Sequence, residues 1–461
     1  MGTSDRRLVV VANRLPVQLD EEGQWETSPG GLVSALAPLL KGRGGAWVGW
    51  AGVPDVDHGE FQVDGIDQVA VPLSVTEEDD FYHGFCNGTL WPLYHDGVRP
   101  PEFHRTWWAA YVAVNRRFAE KAAAVAEPGD IVWVHDYQLQ LVPAMLRDLR
   151  PDVRIGFFLH IPFPPVELYS RLPWRAPIVE GLLGADMVAF QTRKDAQNFA
   201  AAARRYGGVR GADWRRLRHD GRDVRVDRAP IGIDVATFQR LAAQEEVHRI
   251  AYDLRRQTGN PKRLVLGIDR LDYTKGIDVR LRAFQTVLER ESLTPEDVQF
   301  LQIAVPSREA VPLYQETREE VERLVGQING ENARAGLPVV HYLYRSFEPD
   351  DLVGAYLAGD VMMVTPLRDG MNLVAKEYVA SRSDDTGVLI LSEFAGAAEQ
   401  LRQALIVNPH DVDQVAATLA EALQMDEKEQ RRRMRALRRV VTKSDVFEWA
   451  EDCLAMMVEG G

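Results

Sequence analysis

The 461-residue chain is 46% hydrophobic and 26% charged, too long for one ordinary domain and apolar enough to bury a large core, so two or three folded domains are expected. Lys plus Arg is 54 and Asp plus Glu is 68, a net charge of −14. This argues against nucleic acid or an anionic membrane as the main partner, and any anionic substrate must find a local basic pocket. Cys86 and Cys453 lie far apart and define neither a disulfide framework nor a metal site.

The chain opens on a polar segment, Met1-Gly2-Thr3-Ser4-Asp5-Arg6-Arg7. The apolar run after it is roughly six residues, too short for a signal peptide or a membrane span, so a cytoplasmic protein is expected. Leu8 to Ala12 reads as a buried parallel strand ending in Asn13-Arg14-Leu15-Pro16. Arg14 then stands where doubly wound sheets bind ligands, with a surface salt bridge as the alternative. Gly30-Gly31, before the helical run Leu32 to Leu36, reads either as a phosphate-approach loop or as a plain turn. Trp47 to Trp50 and Val69 to Leu73 read as further strands. Asp80 to Pro92 is rich in aromatic and polar residues without a clean period, which suits sugar faces and equally suits a loop packed on the core.

Ile131 to Val134 runs into His135-Asp136-Tyr137, and Ile155 to Leu159 runs into His160-Ile161-Pro162-Phe163-Pro164-Pro165. The prolines hold a stiff loop. His160 reads either as a hydrogen-bond partner for substrate or as a satisfied buried histidine. Met187 to Phe190 is a similar strand. Arg210 to Arg225 reads as a solvated loop or hairpin, and Pro230 to Asp234 closes the first half.

After a polar helix near 240–257, strand and helix alternate again. Arg263 to Ile268, Phe300 to Val305, Val339 to Tyr344, Val361 to Val364, Val388 to Leu391 and Ala404 to Val407 read as strands. Such alternation predicts a parallel sheet covered on both faces. Domains are therefore expected at 1–240 and 241–445, with a helix at 446–461 that returns to the first; the basic face Arg431 to Arg439 reads as solvated. Two turns carry cations, Asp269-Arg270-Leu271-Asp272-Tyr273-Thr274-Lys275-Gly276 and Val305-Pro306-Ser307-Arg308-Glu309. Arg270 and Lys275 suit a pyrophosphate, and Arg14 and Arg308 a second anion, unless each is a solvated surface charge. The strand–turn–helix Val361 to Tyr378 offers Asp369 for polyol hydroxyls, the amides from Gly370 to Leu373 for phosphate, and Glu377 for a ribose. A strand–turn–helix with one Asp and one Glu is also common in α/β proteins. No GxGxxG fingerprint, P-loop or metal-spaced cluster is present.

Seven stretches together resemble the trehalose-6-phosphate synthase family. They are Asn13 to Pro16, Gly30 to Leu32, Tyr82 to Trp91, Val134 to Tyr137, His160 to Pro164, Asp269 to Gly276 and Asp369 to Leu373. They follow the family's order over about residues 8–450. The resemblance implies two Rossmann-like doubly wound parallel-sheet domains facing a cleft, the α/β GT-B fold. It implies a retaining glycosyltransferase that needs no metal or cofactor and moves glucose from a nucleotide donor to the anomeric hydroxyl of glucose 6-phosphate. UDP-glucose is the first expectation, with GDP- and ADP-glucose open.

The resemblance also implies roles. His160, Arg270, Lys275 and Asp369 are the catalytic set. Gly30, Gly31, Arg270, Lys275, Asp369, Gly370, Met371, Asn372, Leu373, Val374 and Glu377 take the donor. Arg14, Tyr82, Trp91, Asp136 and Arg308 take the acceptor. No second carboxylate stands as a nucleophile, unlike ordinary retaining glycosidases, so the implied mechanism is front-face substitution in which the leaving phosphate receives the acceptor's proton. A homo-oligomer (dimer or tetramer) and a separate trehalose-6-phosphate phosphatase are expected. Three rivals are a cyclitol-coupling transferase, a non-catalytic sugar-phosphate sensor and a Rossmann dehydrogenase. The intact acceptor set and the Gly30-Gly31 loop weigh against the first, the retained Arg270, Lys275 and Glu377 against the second, and the missing GxGxxG against the third.

Overall fold

The computed structural model describes residues 6–19, 23–28, 31–211, 213–309 and 311–458. The chain divides into two compact units, Met1–Ile231 with Val446–Gly461, and Gly232–Asp445. The expected limit at residue 240 falls inside the helix Val235–Ala242. Asp234 caps that helix by accepting from the Thr237 amide at 3.0 Å, so it stays in one piece and the limit moves back to 231/232.

Unit 1 holds the strands β1 (Leu8–Arg14), β2 (Val17–Leu19), β3 (Trp25–Thr27), β4 (Ala46–Trp50), β5 (Glu60–Val63), β6 (Ile66–Ala70), β7 (Ile131–His135), β8 (Arg154–Leu159), β9 (Met187–Phe190), β10 (Arg216–His219) and β11 (Arg222–Arg228). Among the described residues nine of them form one sheet, β10-β11-β9-β8-β7-β1-β4-β6-β5, and β2 pairs with β3 alone. The central strands β1, β4, β7, β8 and β9 are parallel. Their apolar runs, such as Leu8 to Val11, are wholly buried, as a sheet covered on both faces requires. Strand order reverses between β1 and β7, which fixes a ligand-binding position at the carboxyl ends of these two strands. The arginine-rich segment is the hairpin β10–β11. It turns at Asp220 and Gly221, both at positive φ (46° and 77°), as a tight two-residue turn demands.

The helix Val446–Val458 packs on this sheet. Trp449 donates its indole N–H to the Ala229 carbonyl at 3.0 Å and lies 5.3 Å from the Trp133 ring. A Cβ on Gly156 of β8 would stand 2.3 Å from the Met457 terminal methyl, so the helix lies tight against the strand. The aromatic stretch without a period is a wide π-helix, Glu78–Leu90, continued by a short α-helix, Trp91–Tyr94.

Unit 2 holds the six expected strands, β12 (Arg263–Arg270), β13 (Val298–Val305), β14 (Val340–Tyr344), β15 (Val361–Val364), β16 (Val388–Ser392) and β17 (Leu405–Val407). All pair in parallel in the order β14-β13-β12-β15-β16-β17. The order reverses between β12 and β15. The loops after those two strands, Asp269 to Gly276 and Thr365 to Asn372, therefore flank the ligand position of this unit.

Candidate active site

In unit 2 the two loops are fastened to each other. The Leu367 amide donates to the Thr274 carbonyl at 2.7 Å, and the Thr365 hydroxyl donates to the Gly276 carbonyl at 3.0 Å. Gly276 starts the helix Ile277–Arg290 at φ 58°, and a Cβ there would stand 2.2 Å from the Thr365 carbonyl oxygen. Only glycine meets both demands. Across this seam Lys275 Nζ sits 2.5 Å from Asp369 Oδ2, both side chains largely buried. Asn372 donates to the same carboxylate oxygen at 3.1 Å. It also caps the helix Leu373–Ser381, its Oδ1 accepting from the Ala375 amide at 3.1 Å while its own φ is 73°. Asparagine tolerates that left-handed conformation better than most residues. Gly370 packs under the loop after β16, where Ala397 donates to the Met371 carbonyl at 2.8 Å. Val374 lies in the first turn of the same helix. Glu377, one turn on, accepts from the Tyr356 hydroxyl at 2.7 Å, and burial pushes its carboxyl up.

The two expected cations of this unit differ. Arg270 ends β12 with its residue exposed. Arg308 turns inward at φ 49°, its side chain 5% exposed. It donates to Asp272 Oδ2 at 3.2 Å and to the Tyr314 hydroxyl, which itself donates to Asp272 at 3.0 Å. Burial alone would raise the Asp272 carboxyl, but Arg308, Lys275 and Arg270 together hold it below the ordinary carboxylate range.

In unit 1, Arg14 ends β1 with its guanidinium 4.6 Å from the Trp50 ring centroid and against Gly52, where a Cβ would clash with it. Desolvation lowers its pKa, while Tyr82 and Glu78 of the π-helix oppose the shift. Tyr82 is half-buried, and its carbonyl accepts from the Asn87 amide group at 2.8 Å. Trp91 is only 4% exposed and packs on His95 and Tyr137, so its indole lies in the core beneath this region. Asp136 follows β7 at φ 73°, and its Oδ1 accepts from the His160 amide at 3.1 Å. A non-glycine residue held there is strained, as residues at functional sites often are. The His160 ring sits beyond β8, its Nε2 3.2 Å from His135 Nδ1. Burial pushes His160 down to about 3 and His135 well below its ordinary value, so both rings are neutral. Gly30 lies outside the described residues, and Gly31 is the first residue of the helix Gly31–Arg43.

Arg14 and Asp136 in unit 1, and Arg270, Lys275 and Asp369 in unit 2, thus stand at the two strand-order reversals, one per unit, whereas His160 and Arg308 follow the neighbouring strands β8 and β13 and Trp91 lies in the core. Arg280 was not expected. It is fully buried and donates to Asp269 Oδ2 (2.6 Å), to the carbonyls of Lys275 (2.9 Å) and Met363 (3.1 Å), and to Thr365 Oγ1 (3.1 Å). It joins β12, β15 and both loops. Its place in an amphipathic helix reads as a solvated arginine, and only its register under β12 would have distinguished it. Among the described residues, no group of three or more His, Cys, Asp or Glu is placed to hold a metal ion, and no helix is long and apolar enough to cross a membrane.

The sequence model of the family described as glycosyltransferase family 20 matches residues 6–459. A trehalose-6-phosphate synthase of Mycolicibacterium paratuberculosis is 53% identical over 100% of this chain and 96% of its own length. A trehalose-6-phosphate protein of E. coli, bound with UDP-2-fluoro glucose, superposes with a TM-score of 0.91 at 35% identity, covering 98% of each chain. A UDP-forming alpha,alpha-trehalose-phosphate synthase of Burkholderia xenovorans, in complex with glucose-6-phosphate, superposes with a TM-score of 0.90 at 33% identity, covering 98% of this chain and 99% of its own.

Proposed function

The chain belongs to glycosyltransferase family 20, and from that premise we propose a reaction and a role for each unit. The protein is an alpha,alpha-trehalose-phosphate synthase with two Rossmann-like GT-B units. It transfers glucose from UDP-glucose to the anomeric hydroxyl of glucose 6-phosphate, giving α,α-trehalose 6-phosphate and UDP.

In unit 2 we assign the donor. Arg270 and Lys275 neutralise the diphosphate as it leaves, Asp369 and the amides of Gly370 to Leu373 hold the sugar and phosphate, and Glu377 takes the ribose. The observation that carries this is the Lys275–Asp369 bridge at 2.5 Å, set at the first turn of the helix Leu373–Ser381. It sets a cation, a carboxylate and the positive end of a helix together at the strand-order reversal, which suits a sugar bound to phosphate. In unit 1 we assign Arg14, Tyr82 and Asp136 to the acceptor and His160 to the donor sugar.

Charge builds on the leaving phosphate as the glycosidic bond breaks, and pre-placed cations stabilise it there without reorganising. The leaving phosphate oxygen then takes the proton of the incoming hydroxyl on the same face, so configuration is retained. We further propose that the reaction needs no metal, that the protein acts as a homo-oligomer in the cytoplasm, and that a separate phosphatase removes the product's phosphate.

The test mixes protein and glucose 6-phosphate with UDP-, GDP- or ADP-glucose, with chelator present. Nucleotide release is followed, and the product is identified by NMR. A 1,1-linked α,α disaccharide phosphate supports the proposal, fastest with UDP-glucose. Release that needs added divalent metal contradicts the metal-free mechanism, and release without that product contradicts the acceptor.

A further inference from the structure

His135 is the last residue of β7 and plays no part in the reaction as described above. It is 1% exposed, beside the Trp133 ring (centroids 4.7 Å apart) and stacked on His160 at 5.4 Å. Its Nδ1 lies 3.2 Å from His160 Nε2. A hydrogen bond between two neutral imidazoles needs one N–H and one lone pair, so it fixes one tautomer on each ring.

Two arrangements are open. If His160 Nε2–H donates, His135 must carry its own proton on Nε2, which is buried and among the described residues has no hydrogen-bond partner. That leaves an orphaned buried N–H, a rare and costly feature. If His135 Nδ1–H donates, His135 leaves only a lone pair orphaned at Nε2, and the unpaired N–H moves to His160 Nδ1, which is not fully buried. His160 then carries its proton on Nδ1. Among the described residues no protein group bonds that nitrogen. The next residue, Asp136, holds the His160 backbone amide at 3.1 Å, so two consecutive residues of β7's end hold both ring and main chain.

We propose that His135 is a positioning residue that fixes His160 as the Nδ1–H tautomer, so that His160 meets the donor sugar as a hydrogen-bond donor to a sugar oxygen. The role toward the sugar rests on the donor assignment of His160; the tautomer does not. Histidine side chains free in water favour the Nε2–H form, so the arrangement requires His135.

The test uses the full-length protein with 15N-labelled histidine at about pH 7.5, where neutral rings report their tautomer. Long-range 1H–15N spectra separate protonated from bare ring nitrogens, and His160 is assigned by the signals lost in His160→Gln. Expected is His160 protonated at Nδ1 in the native protein and in His135→Asn, whose side-chain amide occupies the Nδ1 position. In His135→Leu the ring reverts toward Nε2–H. Turnover should fall about tenfold or more in His135→Leu, the scale of a mispositioned group. The KM for glucose 6-phosphate should hold, and His135→Asn should recover most of the rate. A native His160 protonated at Nε2 overturns the proposal, and so does a folded His135→Leu protein with native turnover. If His135→Leu does not fold, the native and His135→Asn spectra still decide. The expected tautomer together with full activity in His160→Gln would overturn the sugar contact alone.

Discussion

Arg270 and Arg308 carry the same charge in the same unit, yet their surroundings predict opposite failures. Arg270 is exposed at the end of β12, so Arg270→Ala should leave the fold intact. It should lower kcat by about 10²–10³, the usual loss when one stabiliser of developing charge is removed. Near-normal turnover would refute its leaving-group role. Arg308 faces Asp272 with side-chain exposures of 5% and 0%. Arg308→Ala strands a buried carboxylate and should cost about 3 kcal/mol of stability, toward the low end for a broken buried pair because Tyr314 still donates to Asp272. Urea unfolding measures this. Pairing Arg308→Ala with Asp272→Asn should recover at least about 1 kcal/mol, as coupled partners do, and additive losses would mean that the two do not interact. These contrasts mark the limit of what the sequence reveals. Charged residues at strand ends were legible, because a buried strand must surface somewhere and its terminal Arg, His or Asp has few other uses. Whether an arginine then faces solvent or a neighbouring loop depends on contacts between distant segments. That is why Arg280 and the inward turn of Arg308 were not legible.

At the scale of elements, the helix Leu373–Ser381 and its capping turn show how local chemistry positions the proposed donor groups. Asn372 does three things at once: it adopts φ 73°, caps Ala375 and anchors Asp369. Asn372→Ala should lose about 1 kcal/mol for the cap and about 1 kcal/mol more for forcing a Cβ residue into the left-handed region. Asn372→Gly keeps the backbone and gives up only a few tenths of a kcal/mol. Both remove the Asp369 anchor, so both should raise the KM for UDP-glucose. A rise in the alanine variant alone would mean that backbone strain, not the anchor, governs donor binding. At the neighbouring seam, Gly276→Ala should weaken UDP binding, measured by calorimetry, because its Cβ would force the Thr365 loop away. Unchanged affinity would show the seam to be irrelevant to the donor. The strand–turn–helix Val361 to Tyr378 that holds this helix was legible as a whole. The π-helix Glu78–Leu90 was not, because its turns are wider than the period that identifies an α-helix.

At the scale of the whole molecule, alternation of apolar runs with amphipathic segments carried both sheets, and parallel pairing followed from runs with no polar face. The boundary was misplaced because a helix that opens a unit looks in sequence like one that closes the unit before it. The fold in turn sets a pH dependence that no single element carries. His160 is pushed down to about 3 and His135 well below its ordinary value, in both cases first by burial. An unfolded chain takes up those protons near its ordinary histidine pKa of about 6.5, while the folded chain refuses them. The pair therefore contributes stability that is complete above about pH 6.5 and is lost as pH falls toward about 3. The slope should approach about 1.4 kcal/mol per pH unit for each histidine. Lys376, pushed down to about 7 by burial, acts in a separate window at higher pH. Ordinary carboxylates titrate near about 4, below the interval from about pH 6.5 to about pH 5. His341, also lowered by burial, and the raised carboxyls of Asp269 and Glu377 add their own terms, so the comparison with His160→Gln isolates the contribution of His160. Urea unfolding across that interval at fixed ionic strength, followed by tryptophan fluorescence from the ring cluster around Trp133 and Trp449, should show the midpoint falling steadily. The fall should be shallower in His160→Gln, which has one proton fewer to refuse. Equal slopes in the two proteins would mean that the pair admits protons in the folded state, and that the neutral His135–His160 hydrogen bond does not survive mild acid.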